Sequence, residues 1–337
     1  MQSKNLGRCF DASLAPDKVA IIDLRPWDQP QETTYADFDA ECDAVARGLV
    51  RKGFKRGDRI GILSLNRREL LAAYFGAMRA GMVVVPISFK LAADIISHIV
   101  GDAELVAIFH DEERAALCPS NTLNISFDDP GGYAALLDFG PFETVEPKPR
   151  ELAMILYTSG STGKPKGVLL SHDSQRWALE RGEKLYGENS SHRYIVAAPM
   201  FHMNATISVK SALSSGGSLV LLPFFRAIDY ARAMAFLAID EASGDMLGVG
   251  RLHIMAHSDT AEYAVLVRSD MKGRGLGWQL MQMLIDYARH EGITTIRGEV
   301  LAENTTMLRM CGELGFDIVE NPDDPQIRIV TLPVKPA

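Results

Sequence analysis

The chain has 337 residues, 47% of them hydrophobic, with 35 Lys and Arg against 43 Asp and Glu for a net charge of −8. That length suits two domains of ordinary size, the apolar content excludes a disordered chain, and the acidic balance argues against nucleic acid as the main partner. The four cysteines (Cys9, Cys42, Cys118, Cys311) lack metal-ligand spacing, so no metal is expected. Met1 to Ala20 holds no apolar signal core, and no run reaches membrane-spanning length, so a cytoplasmic protein is expected.

Residues 1–110 alternate strand-like and helix-like segments. Lys18 to Leu24 reads as a strand. Tyr35 to Lys52 reads as a helix, with Phe38, Cys42, Ala46 and Leu49 on one face and Gly53 at its end. Strands are predicted at Asp58 to Leu65, Met82 to Ile87 and Leu105 to Phe109, and a helix from Arg68 to Ala80, closed by Gly81. Such alternation implies a parallel sheet with helices on both faces. Residues 117–150, with Pro, Asp and Gly, read as surface loop.

The stretch from Leu156 to His172 runs from an apolar strand into Thr158-Ser159-Gly160-Ser161-Thr162-Gly163-Lys164-Pro165-Lys166. Hydroxyls, glycine amides and ammonium groups can wrap a polyphosphate. The spacing is not that of a Walker A loop, since only two residues separate Gly160 from Gly163 and Pro165 stops a helix directly after Lys164. The motif resembles the phosphate loop of AMP-forming acyl-CoA synthetases and their adenylating relatives. Ala197 to Ala205, Gly76 to Pro86 and Gly216 to Pro223 resemble further segments of that family, so the resemblance covers roughly residues 5–223. It implies ATP or AMP at Thr158, Ser159, Gly160, Ser161, Thr162, Gly163, Lys164 and Lys166. The family's Tyr-Gly-x-Thr-Glu segment, its ribose-binding aspartate segment and its C-terminal lysine domain are not found, so a truncated adenylate-forming region is expected over 1–223.

From Phe224 the character changes. Strands are predicted at Met234 to Asp240, Met246 to Met255 and Glu262 to Arg268, hairpin-connected and therefore antiparallel. Lys272-Gly273-Arg274-Gly275-Leu276-Gly277 then leads into an amphipathic helix from Leu276 to His290. A strand, a glycine loop and a helix N-terminus form a cradle for a pyrophosphate, because the first helical amides have no partners and the helix dipole favours an anion there. A strand at Ile293 to Leu301, a short helix capped by Asn304 and a last strand at Ile327 to Val334 complete the order.

The stretch from Glu262 to Gly277 resembles the acyl-CoA-binding motif of GNAT-type N-acetyltransferases, most closely bacterial protein lysine acetyltransferases. The resemblance implies an α/β GNAT domain with a mixed sheet over 224–337, lacking its first strand and helices, after a partial doubly wound parallel-sheet domain. It implies acetyl-CoA as cosubstrate, held by Val265, Val267, Lys272, Gly273, Arg274, Gly275, Leu276, Gly277 and Asn304. Glu262 takes the general-base position, and the acceptor is an amine, a protein lysine such as that of an acyl-CoA synthetase being the implied class. Cys311 stands where many GNAT enzymes place a tyrosine that protonates the leaving thiolate; its plainer reading is a small buried residue. Two other functions stay open: an adenylate-forming acid–CoA ligase remnant, and a non-catalytic CoA- or nucleotide-binding fusion.

Overall fold

The structure is a computed structural model and describes residues 3–25, 29–158, 164–186, 190, 192–224, 236–239, 245–254 and 259–335. It divides into two compact units, Met1–Arg226 and Ala227–Ala337.

In the first unit, strands β1 (Val19–Asp23) and β2 (Gln31–Thr34) lead into helix α1 (Tyr35–Arg51), followed by β3 (Arg59–Leu63), α2 (Arg68–Arg79), β4 (Val83–Pro86), α3 (Ala93–Asp102) and β5 (Leu105–His110). Then come β6 (Leu123–Ser126), β7 (Leu152–Thr158), β8 (Lys166–Ser171), α4 (His172–Tyr186), β9 (Arg193–Val196), α5 (Met203–Ser214) and β10 (Ser218–Leu221). They form a six-stranded sheet of order β6-β5-β3-β4-β7-β8 and a four-stranded sheet of order β2-β1-β10-β9. The six-stranded sheet is parallel apart from β8, and both its faces are covered, which is why β3 and β4 read as continuous apolar runs.

Helix α2 is buried on all sides from Leu70 to Arg79. An all-round apolar helix requires such a setting. It lies close against α1 because Gly76 has no side chain; a Cβ there would sit 2.7 Å from the Cys42 carbonyl oxygen. Thr34 caps α1 by accepting the Asp37 amide, and Asp37 in the first turn suits the positive end of the helix dipole.

Two elements that the sequence reading passed over are present, and one expectation is corrected. The polar strand β2 pairs antiparallel with β1, and Ala93–Asp102 is a helix whose Ile96, Ile99 and Val100 fill the second face of the sheet. Residues 117–150 are not only surface loop. They contain β6, and Ile125, Phe127, Tyr133 and Leu136 are buried in the core, with Phe109 and Phe127 stacked at 5.6 Å.

The second unit holds β11 (Phe236–Ile239), β12 (Met246–Ile254), β13 (Thr260–Val267), α6 (Leu276–His290), β14 (Thr295–Leu301), α7 (Thr305–Glu313), β15 (Asp317–Asn321) and β16 (Asp324–Pro333). The sheet order is β11-β12-β13-β14-β16-β15. It is mixed rather than wholly antiparallel, because the crossover through α6 makes β13 and β14 parallel. The α6 face carries the core. Leu280, Met281, Leu284, Ile285 and Ala288 of α6 are buried, and Gly248 and Gly250 of β12 leave room for Leu280 and Leu284. On the other face Leu266 is 71% exposed and Leu301 53%.

Candidate functional site

In the second unit, β13 and β14 stay together only at their start. Thr260, Ala261 and Glu262 pair with Thr295, Ile296 and Arg297, and the parallel ladder ends there. Beyond it β13 keeps β12 on one side and β14 keeps β16 on the other. The edge of β13 from Tyr263 to Val267 therefore faces a wedge with no strand in it. At roughly 3.3 Å per residue, that edge is about 13 Å long.

The open end of the wedge leads to the cradle. Gly273 and Gly275 have φ of +77° and +82°, a region that L side chains avoid, so these two glycines are required by the turn. A Cβ on either would meet nothing within 4 Å, so the space above the turn is open. Gly275 is the N-cap of α6, and no side chain caps the helix and no acidic residue lies in its first turn. Lys272 and Arg274 flank the turn and are exposed. Free helical amides, two cations and an uncluttered turn fit a diphosphate. Asp270 is the nearby anion, and Arg268 neutralises it through Nε at 2.7 Å.

Glu262 sits at the closed end of the wedge, exposed on the sheet face opposite α6, and makes no hydrogen bond or ion pair among the described residues. His253 and Arg297 are its register neighbours. Val265 and Val267 are half-buried on the α6 side. Asn304 is the N-cap of α7; its Oδ1 accepts the Met307 amide at 3.2 Å. Cys311 is fully buried, and sequence reasoning missed its partner, the Tyr263 hydroxyl at 3.3 Å. Burial pushes both groups up in pKa, with the hydrogen bond to Cys311 adding to the rise at Tyr263.

In the first unit the phosphate-loop residues Ser159, Gly160, Ser161, Thr162 and Gly163 lie outside the described residues. Thr158 and Lys166 face each other across the β7–β8 hairpin that the loop joins, and Lys164 is exposed beside it. His202 starts α5 without capping it and packs on Phe201 at a centroid distance of 4.5 Å. Asn66, which sequence reasoning passed over, is fully buried. Its Nδ2 donates to the Ala198 and Leu222 carbonyls and its Oδ1 accepts the Met200 amide. One side chain thus fixes the pocket-motif turn against the end of β10.

Residues 10–271 match the family model of the AMP-binding enzyme. The chain belongs to that family. Residues 223–323 also match an acetyltransferase (GNAT) domain, so the chain joins a partial adenylate-forming region to a GNAT domain. Among curated proteins, feruloyl-CoA synthase of Amycolatopsis is 30% identical over 200 residues, covering 56% of this chain and 38% of that protein. A long-chain-fatty-acid–CoA ligase of Mycobacterium tuberculosis is 28% identical over 208 residues, with 58% and 40% covered. The chain thus spans less than half the length of these relatives. The solved N-terminal domain of FACL13 from Mycobacterium tuberculosis is similar with a TM-score of 0.62 at 27% identity, over 68% of this chain and 59% of that one. ATP-bound MatB from Rhodopseudomonas palustris is similar at 0.59 and 26% identity, over 69% and 48%. Both matched domains are enzyme domains. No described helix is long and apolar enough to cross a membrane.

Proposed function

We propose that the second unit transfers an acetyl group from acetyl-CoA to an amine, with a protein lysine as the acceptor class. The observation that carries this reading is the wedge between β13 and β14, opening onto a glycine turn at the N-terminus of α6. The cradle takes the diphosphate. The pantetheine arm lies along the free edge of β13 in place of a strand, and the thioester reaches the closed end beside Glu262. A lysine amine, with a reference pKa of about 10.4, arrives protonated and must lose a proton before attack. The Glu262 carboxylate is exposed there and has no partner among the described residues, which suits a base serving a side chain that comes from solvent. The neutral amine nitrogen then bonds to the carbonyl carbon, the C–S bond breaks with its electron pair on sulfur, and the second nitrogen proton passes to the departing thiolate, which leaves an amide and a free thiol while Glu262 returns its proton to solvent. Thiol release from acetyl-CoA, followed with lysine peptides and polyamines, tests the reading. Acceptor-dependent release is expected; acetyl-CoA binding without release on any acceptor would leave only a binding module.

A second reading has its own support in the first unit. The hairpin pairing of Thr158 with Lys166 and the likeness to ATP-bound MatB favour nucleotide binding there. A ligand that binds only the folded form raises its melting temperature, so ATP and AMP should each produce a shift that Lys164→Ala reduces.

A further inference from the structure

The first unit has a cleft of about 600 Å³ where the parallel strands β5 and β6 end, at the opposite edge of the sheet from β7 and β8. Ser126 pairs in register with His110 and Asn124 with Ile108, so His110, Asn124 and Ser126 point to one face of the sheet. His110 lines the cleft although it is only 6% exposed. Its Nδ1 lies 2.9 Å from the Asp111 carbonyl oxygen. A carbonyl only accepts, so Nδ1 carries the proton and Nε2 holds a lone pair, which has no partner among the described residues. Leaving a buried acceptor unpaired is costly, so this atom calls for a ligand that donates.

The rest of the wall also accepts. Asn124 spends its Nδ2 on the Pro119 carbonyl, which leaves Oδ1. Asp129 spends Oδ1 on the Gly131 amide, which leaves Oδ2. The Glu112 carboxylate is exposed and has no partner among the described residues. Asp128, by contrast, is already taken by Arg67 at 2.6 Å and by the Glu112 amide at 2.8 Å. Arg114 is turned to Asp111 at 2.9 Å and lies over the Phe89 ring, and neither it nor Arg67 lines the cleft. Glu112 and Asp129 are thus two carboxylates without an ion-pair partner among the described residues. Among those residues no three His, Cys, Asp or Glu side chains converge to hold a metal ion, so the charges suit an extended cation rather than a compact one.

We propose that this cleft binds an aliphatic polyamine, whose ammonium groups pair with Glu112 and Asp129 while one N–H donates to His110 Nε2. The test titrates the full chain with spermidine by calorimetry at low ionic strength. Saturable binding at one site is expected. Glu112→Gln weakens it about tenfold, the loss of one charged hydrogen bond. Glu113→Gln removes a neighbouring carboxylate that pairs with Arg114 outside the cleft, and leaves binding unchanged. His110→Leu weakens it to a similar degree, and His110→Gln, which keeps an acceptor, retains most of it. Should the buried His110 variants fail to fold, the exposed Glu112 and Glu113 variants decide the matter. Hexamethonium, a dication without N–H groups, binds at least tenfold more weakly than spermidine. No binding of spermidine overturns the proposal. Equal losses in Glu112→Gln and Glu113→Gln overturn it too, because they report a general attraction to an acidic surface. Displacement of spermidine by an equal concentration of magnesium, or equal binding of hexamethonium, also overturns it, since charge alone is then being read.

Discussion

Arg79 Nη1 and Asp43 Oδ1 lie 2.7 Å apart inside the first unit, and the Arg79 side chain has no exposure to solvent. The same guanidinium reaches Asp39 through Nη2 and the Gly7 carbonyl through Nε, while Arg8 makes ion pairs with both aspartates. The segment before β1 is thereby tied to α1 and α2. Removing one partner of a buried ion pair leaves the other charged and unpaired, which typically costs about 3–5 kcal/mol. Arg79→Met should destabilise the first unit by that order in urea unfolding. Arg79→Lys should recover little, because an ammonium cannot make the forked contacts. A loss in Arg79→Met well under 1 kcal/mol would show that the network is not needed.

His172 gives a pH dependence. It is 2% exposed, its Nδ1 accepts the Leu6 amide at 3.0 Å, and burial pushes its pKa down to about 4. A proton on Nδ1 would set two N–H groups against each other. The folded chain thus keeps His172 neutral, while the unfolded chain takes the proton near pH 6.5. Its stabilisation is present above about pH 6.5 and is lost as pH falls toward 4, at up to about 1.4 kcal/mol per pH unit. His172→Asn offers an acceptor oxygen that does not titrate. Denaturation midpoints of the two proteins should therefore converge as pH is lowered from 7 to 4; parallel curves would exclude His172 as the cause.

Gly275→Val should remove most affinity for acetyl-CoA in calorimetry. A Cβ there meets no protein atom within 4 Å, so the added side chain enters the space that the diphosphate needs. Gly292, just past α6, has a φ of +71° and equally open surroundings. Gly292→Val therefore carries a similar backbone strain and should leave binding unchanged. Equal binding losses in both would mean that strain, not the cradle, is being measured.

Glu262→Gln keeps shape and hydrogen bonding but cannot take a proton. Turnover should fall by about 10²- to 10⁴-fold with acetyl-CoA affinity nearly unchanged. Raising the pH should partly rescue the variant, since more acceptor arrives neutral. Wild-type turnover in Glu262→Gln would remove Glu262 from the reaction.

The elements legible in the sequence were those with a strong local pattern. Tyr35–Arg51 and Leu276–His290 carry one apolar stripe and a glycine stop, and both were placed to within a residue. The helix Ala93–Asp102 was passed over because neither end carries a side-chain cap and its apolar residues cluster near neighbouring strands. Gln31–Thr34 is a strand only because β1 lies beside it. The glycine turn and Glu262 could be named from a motif. The wedge could not, because it depends on where pairing with β14 stops, a relation across more than 30 residues. The Tyr263–Cys311 contact joins a strand to a helix 48 positions later, and no local spacing announces it.

The parallel pairing of β1 with β10 sets a timetable for synthesis. Ile21 lies beside Leu219, so the four-stranded sheet cannot close until about 200 further residues have been made. At typical translation speeds of about 5–20 residues per second, that is a wait of roughly 10–40 s. During it, β1 has β2 on one side and no strand yet on the other, which leaves a strand edge open. The nascent first unit is thus a prolonged client for holding chaperones, and a ribosome stalled before Ser218 would present a sticky chain. The second unit's strands pair across much shorter distances, so its own assembly is quick once its last strand has emerged.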